Sequence, residues 1–156
     1  MAEVLDTAIG RVYVELSAGG IRGIHIGARG PASEPRSPIA KDLRRYASGE
    51  PVDFRGYELD LSGCTEFERR VYGAARKIPA GQVRTYGEIA RAIGQPGAAR
   101  AVGNALGKNP VGIVIPCHRV VASDGIGGFT GGLEWKRKLL RLEGSLATAE
   151  ASQEKR

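Results

Sequence analysis

The stretch Ile115-Pro116-Cys117-His118-Arg119-Val120-Val121 governs how the rest of this chain is read. It seats a thiol beside an imidazole and behind a proline. Pro116 lacks an N–H and steers Ile115 away from helix, so the apolar run Ile113, Val114, Ile115 reads as a buried strand that stops where the thiol begins. A free cysteine titrates near 8.5, and a thiolate that predominates at neutral pH needs a lowering of about two units, roughly 2.7 kcal/mol. A neighbouring imidazole and backbone dipoles can supply that lowering, which makes Cys117 a candidate sulfur nucleophile at the end of an element. A lone cysteine in an apolar stretch is otherwise a small core hydrophobe. The flanking proline and arginine, and Glu143 downstream, favour the chemical reading.

Upstream of this stretch the sequence is punctuated for helices. Thr65 with Glu68, and Thr85 with Glu88, are capping boxes that mark two helix starts. The first helix carries Phe67, Val71 and Ala74 and ends near Ile78-Pro79-Ala80-Gly81; the second carries Ile89 and Ile93 and stops at Gly94. After Gly94-Gln95-Pro96-Gly97 a third helix runs from about Ala98 to Leu106, giving the dimensions of a helix-turn-helix. Ala98, Ala99, Ala101, Gly103 and Ala105 leave this helix nearly bare, suited to close approach of a sugar-phosphate wall or to tight helix packing, and poorly suited to reading a major groove. Arg100 is the long cation among them. A final helix over about Leu133–Leu142 packs Trp135, Leu139 and Leu142, with Lys136, Arg137, Lys138 and Arg141 facing elsewhere.

Before Cys64 the pattern changes period. Alternation in Val12, Val14 and Leu16, a turn at Ser17-Ala18-Gly19-Gly20, then Ile24 and Ile26, reads as a β-hairpin with one apolar face. A Pro-rich loop over 30–38 leads to a short helix from Ile39 to Ala47, closed by Gly49 and Pro51. The fold class is therefore α+β: a small sheet-plus-helix domain over residues 1–63, a mainly helical, winged helix-turn-helix domain carrying the cysteine over 64–144, and a frayed tail over 145–156.

A chain of 156 residues with 42% hydrophobic content buries one ordinary core or two small ones. No stretch approaches the roughly 20 apolar residues of a membrane span, and the acidic start lacks the basic flank of a signal peptide. An intracellular location is expected, cytoplasmic, or nuclear in a eukaryote. A disulfide between the two cysteines would consume the nucleophile, so both are expected reduced, and no zinc quartet is expected from them and the two histidines. Neither a metal nor a cofactor is expected, nor a membrane partner. Met1–Cys64 carries eight Lys/Arg against nine Asp/Glu, whereas Thr65–Gly144 carries thirteen against six. A basic module joined to a neutral one is the electrostatic footprint of phosphate-backbone binding, unless the cations merely solvate a surface.

The segment Thr65–Gly144 resembles the O6-alkylguanine-DNA alkyltransferases, also called methylated-DNA–protein-cysteine methyltransferases. The likeness rests on Ile78-Pro79-Ala80-Gly81 with Tyr86, Ala99-Arg100-Ala101-Val102-Gly103, Asn109-Pro110, Pro116-Cys117-His118-Arg119-Val120, Gly131, Leu139-Leu140 and Glu143-Gly144. The resemblance implies a monomer that binds double-stranded DNA containing O6-alkylguanine from the minor groove, flips the damaged nucleotide out and moves its alkyl group irreversibly to Cys117. It assigns catalytic roles to Cys117, His118, Glu143, Tyr86 and Asn109. DNA contacts fall to Arg100, Ala99, Ala101, Gly103, Arg119 and Thr85, and the pocket wall to Val120, Phe129, Thr130, Gly131, Lys136 and Leu106. Phe129, Thr130 and Leu106 stand where Tyr, Ser and Met are common in the family, and Gly112 where some relatives have proline.

Three other readings use the same residues. Relatives that lack the cysteine only sense lesions, and Cys117 opposes that here. A regulator reading an operator through the helix-turn-helix is opposed by the bare third helix. A multiple-turnover hydrolase could use a Cys-His-Glu set, and it is opposed by the DNA-binding context.

Overall fold

The computed structural model describes residues 1–128 and 132–151. These residues divide into two compact units, one made of Met1–Ser62 with Pro110–Val114, the other of Gly63–Asn109 with the chain from Ile115 onward. Neither unit is contiguous in sequence, unlike the simple division at residue 63. Among the described residues no helix is long and apolar enough to cross a membrane.

The first unit is an antiparallel meander, β1 (Ala2–Thr7), β2 (Gly10–Ser17) and β3 (Gly20–Ile26), with α1 (Pro38–Ala47) packed on β1. Val12 and Val14 alternate inward opposite Ile26 and Ile24, so the expected hairpin is present. Strand β1 is an addition to it. Its inward positions are Leu5 and the buried Glu3, whose carboxylate accepts the Arg36 and Ser37 backbone N–H groups and the Ser37 hydroxyl at the start of α1. An acid at an inward strand position breaks the apolar alternation that marks a strand, and here it is stabilised by a helix N-terminus.

Strand β3 is completed by chain from elsewhere: Ile21 bridges Leu59, and Ile24 bridges Val111, with Ile24 N–H donating to the Pro110 carbonyl and Gly112 N–H to the Ile24 carbonyl, each at 3.0 Å. Residues 113 and 114 do not continue as a strand. Val114 N–H closes on the Gly112 carbonyl at 2.8 Å around Ile113, whose φ is 71°. That is a γ-turn at a β-branched residue, a strained geometry, and it overturns the strand expected over Ile113–Ile115. Burial of an apolar run carries no period, so a buried turn and a buried strand look alike in sequence.

The second unit holds α2 (Glu66–Arg76), β4 (Arg84–Thr85), α3 (Tyr86–Ala92), α4 (Ala99–Gly107), β5 (Val120–Val121), α5 (Leu133–Leu142) and α6 (Leu146–Ala151). Both capping boxes form, with Thr65 and Glu68, and Thr85 and Glu88, exchanging side-chain and backbone hydrogen bonds at 2.9 to 3.1 Å. The α3–turn–α4 pair and α2 pack through Val71, Tyr72, Ala75, Ile89, Val102 and Ala105, and the Tyr72 hydroxyl donates to the Ala105 carbonyl at 2.7 Å. The short strands β4 and β5 pair in parallel, Arg84 with Val120 and Thr85 with Val121. They bring the start of α3 beside the residues that follow the cysteine.

Residues from Ser145 do not form the frayed tail expected of them up to Ala151. Helix α6 buries Ala149 in a cluster with Val121, Ile126 and Leu140. It stays because an alanine-rich turn fits against a core already present.

Candidate active site

An inverse γ-turn presents the thiol. Cys117 N–H donates to the Ile115 carbonyl at 2.8 Å around Pro116 (φ −81°, ψ 64°), and Cys117–Arg119 then make one 3-10 turn. The Asn109 amide nitrogen donates to the same Ile115 carbonyl at 2.8 Å. Asn109 thus clasps the two points at which the chain leaves and re-enters the second unit.

His118 lies on the inner side of this turn. Its side chain is 0% exposed, that of Glu143 is 2% exposed, and Nε2 sits 2.8 Å from Glu143 Oε2. Burial opposes the charge on Glu143, but the imidazole, the Arg119 guanidinium and their hydrogen bonds hold its carboxyl well below the usual range. An ionised carboxylate only accepts, so Nε2 carries the proton and Nδ1 the lone pair. Nδ1 has no hydrogen-bond partner among the described residues. Burial pushes the His118 pKa down and outweighs the attraction of Glu143, so the ring is neutral at neutral pH and Arg119 supplies the standing counter-charge.

Arg119 departs from its expected place on the DNA face. Its Nε donates to Glu143 Oε1 and its Nη2 to Oε2, each at 2.8 Å, while Nη1 reaches the Ile78 carbonyl at 2.7 Å. This two-pronged grip fixes the plane of the carboxylate that orients His118. Sequence offered no sign of it, because an arginine beside a basic surface reads by default as solvated or DNA-bound.

Glu143 is delivered by a helix end. It is the C-cap of α5, Gly144 follows at φ 77°, Gly144 N–H reaches the Arg141 carbonyl at 3.1 Å, and Ser145 N–H reaches the Leu140 carbonyl at 2.8 Å. Those two bonds define a Schellman motif whose left-handed position suits glycine. Gly144→Ala is expected to cost about 1 kcal/mol of unfolding free energy, read from the midpoint of a urea titration. An unshifted midpoint would mean that the left-handed turn is not under strain.

Burial raises the pKa of Cys117, against a hydrogen bond from Asn109, the charge of Lys136 and the backbone N–H groups of Cys117 and His118. The thiolate expected at neutral pH is therefore not the resting form. Desolvation wins, and it is a quantity the sequence does not display. An attack by this sulfur would have to begin with loss of the thiol proton.

Tyr86 opens α3, directly after the Thr85 cap. Burial and the charge on Cys117 raise its pKa against a backbone hydrogen bond at Gly128, so the phenol stays protonated. A Cβ at Gly127 would lie 2.8 Å from Tyr86 Oη and 3.1 Å from Ala122 N, with φ at 78°. Only glycine lets that loop pass the phenol.

Lys136 is not on the outer face of α5. It is 0% exposed, and its Nζ donates to the Val120 carbonyl at 2.8 Å and the Gly128 carbonyl at 2.9 Å, 5.9 Å from the Tyr86 ring centre. Burial lowers its pKa to about 8, against the attraction of Cys117. It acts as a strut that occupies the Val120 and Gly128 carbonyls. Val120 and Leu106 are buried, and Gly103 faces the Tyr86 ring, 3.9 Å from a Cβ built there. Ala99 is half-buried, Ala101 and Arg100 are exposed, and the Thr85 hydroxyl is engaged in its cap. Phe129, Thr130 and Gly131 lie outside the described residues.

With this geometry in place, the comparisons with known proteins agree. The family described as 6-O-methylguanine DNA methyltransferase, DNA binding domain, matches residues 66–145. A methylated-DNA–protein-cysteine methyltransferase of Mycobacterium tuberculosis is 52% identical over 115 residues, which are 73% of this chain and 68% of that protein. Another, from Metallosphaera sedula, is 50% identical over 108 residues, 69% of this chain and 67% of that one. Among solved structures, M. tuberculosis OGT in complex with DNA matches with a TM-score of 0.81 at 39% identity, covering 97% of this chain and 96% of that chain. The O6-methylguanine-DNA methyltransferase of the archaeon Pyrococcus kodakaraensis matches with a TM-score of 0.74 at 30% identity, covering 92% of this chain and 99% of that chain. The cysteine turn, the His118–Glu143–Arg119 cluster and the helix-turn-helix thus occur together in a chain that belongs to the methylated-DNA–protein-cysteine methyltransferase family.

Proposed function

We propose that this protein repairs O6-alkylguanine in double-stranded DNA by taking the alkyl group onto Cys117, once per chain. The observation that carries this reading is the buried His118–Glu143–Arg119 cluster directly behind a thiol on a tight turn. Such a cluster is suited to removing a proton from a sulfur that burial keeps protonated.

The alkyl carbon is inaccessible inside stacked duplex, so the nucleotide must leave the stack at a cost of a few kcal/mol. Arg100 fills the gap from the minor groove, and Ala99, Ala101 and Gly103 allow the approach. Cys117 sulfur attacks the alkyl carbon; the S–C bond forms as the C–O6 bond breaks, and the electron pair passes to guanine. His118 Nδ1 receives the thiol proton through water, and Glu143, held by Arg119, stabilises the imidazolium that results. Tyr86 donates its phenolic proton to guanine N3 as charge grows on the ring, and Asn109 holds the turn that carries the sulfur. A thioether offers water no polarised carbonyl, so nothing regenerates the thiol. The protein acts as a monomer, without cofactor.

Arg100 supplies the test of extrusion. It is exposed and has no ionic or hydrogen-bonded partner among the described residues, so its loss leaves the fold intact. Arg100→Ala is expected to slow transfer from a duplex lesion at least about tenfold more than transfer from free O6-methylguanine, in keeping with the loss of a contact made only on everted DNA. Equal slowing of both reactions would remove the wedge role.

A further inference from the structure

Helix α4 turns Val102, Ala105 and Leu106 inward. At about 100° per residue the opposite line of the helix holds Arg100, Asn104 and Gly107, and all three are exposed. Among the described residues the Asn104 side chain has no hydrogen-bond partner. It caps nothing, and asparagine is a weaker helix former than alanine at a mid-helix position. On the helix that carries Arg100, the side chain one turn further along is therefore a free carboxamide with no task inside the fold.

We propose that Asn104 reads a base pair beside the everted nucleotide, giving this protein a flanking-sequence preference. The inference rests on the DNA-repair reading above and on Arg100 entering the duplex. One helical turn separates the two residues by about 6 Å along the axis, fewer than two base-pair steps of about 3.4 Å. Ala101 and Gly107 present no side chain long enough to hold Asn104 off the groove.

The chemistry selects the pair. In the minor groove an A·T pair shows only acceptors, whereas G·C adds the guanine 2-amino donor. A carboxamide has an N–H₂ donor and a carbonyl acceptor side by side. Against guanine both halves are used, N–H₂ to N3 and carbonyl oxygen from the 2-amino group; against A·T only the donor half is used. Asn104 therefore favours a G·C neighbour.

The experiment measures single-turnover label transfer to Cys117 from duplexes that differ only in having G·C or A·T on one side of an O6-methylguanine, then on the other. The flank also changes the cost of unstacking, but equally for wild type and variant, so the quantity of interest is the rate ratio G·C over A·T in each protein. At one flank that ratio is expected to fall about fivefold in Asn104→Ala, the scale of one lost base contact. Alanine favours the helix, so the variant folds. An unchanged ratio at both flanks overturns the proposal. Absence of any transfer from duplex by the wild type is a different result, and it overturns the repair reading together with this one.

Discussion

Given an excess of duplex bearing labelled O6-methylguanine, the protein is expected to take up one label per chain, all of it on Cys117, and Cys117→Ala none. Peptide mass after digestion locates the label and counts it. The effect is all-or-none because Cys64, the other thiol, lies before α2 and away from His118 and Glu143 in sequence, while Cys117 follows the inverse γ-turn. More than one product per chain would instead describe a hydrolase using the same Cys-His-Glu set, and label on any other residue would remove Cys117 from its role.

The second large effect concerns Glu143. Glu143→Gln keeps the shape but removes the charge that both His118 and Arg119 face at 2.8 Å. The imidazolium formed during attack then lacks its counter-ion, and single-turnover transfer is expected to fall about a hundredfold or more, the usual worth of a positioned base. The pKa that governs alkylation of Cys117 rises. Arg119 is left buried without its partner, which costs about 3 kcal/mol, the low end for a broken buried pair because the amide still accepts a hydrogen bond. Unfolding curves and the pH profile separate the two losses. An unchanged profile would show that no proton passes through this cluster.

Acid acts on the same residues with a definite sign. The folded pKa of His118 is depressed below 6.5 by burial, so the unfolded chain binds that proton first; the stabilisation is complete above about 6.5 and is lost as pH falls through the folded value. Glu143, depressed below 4.5, adds stability that is present above about that pH and lost on further acidification. The described cluster therefore weakens with falling pH, and transfer slows with it as His118 ceases to be a base.

Much of the second unit was legible because it is written in local chemistry. The Thr65/Glu68 and Thr85/Glu88 pairs fix two helix starts through bonds of three-residue reach, and the final helix falls over Leu133–Leu142 as its apolar spacing indicates. What escaped the sequence depends on distant packing. Glu3 hid β1 because its partners lie 33 and 34 residues away. Ile113 was taken for strand because its positive φ has no signature in a side chain that normally avoids it. Of the site, Cys117 and His118 were read from the residues, and Glu143, Tyr86 and Asn109 took their roles from resemblance; His118 meets Glu143, and Asn109 meets the Ile115 carbonyl ahead of the cysteine. Arg119 was assigned to DNA and Lys136 to the outer face of its helix by spacing, though to the pocket wall by resemblance; burial against a distant carboxylate or carbonyl is what spacing does not show.

The interleaving of the two units along the chain bears on how the protein can be cut. Pro110–Val114 belongs with Met1–Ser62, where Val111, Ile113 and Val114 are buried. A fragment starting at Gly63 would display those three apolar side chains to water, and one ending at Ser62 would leave the Ile24 edge of β3 without its Val111 partner. Expression of either half as an independent module is thereby a recipe for self-association, and the helix-turn-helix with its cysteine is not a cassette that can be lifted out intact.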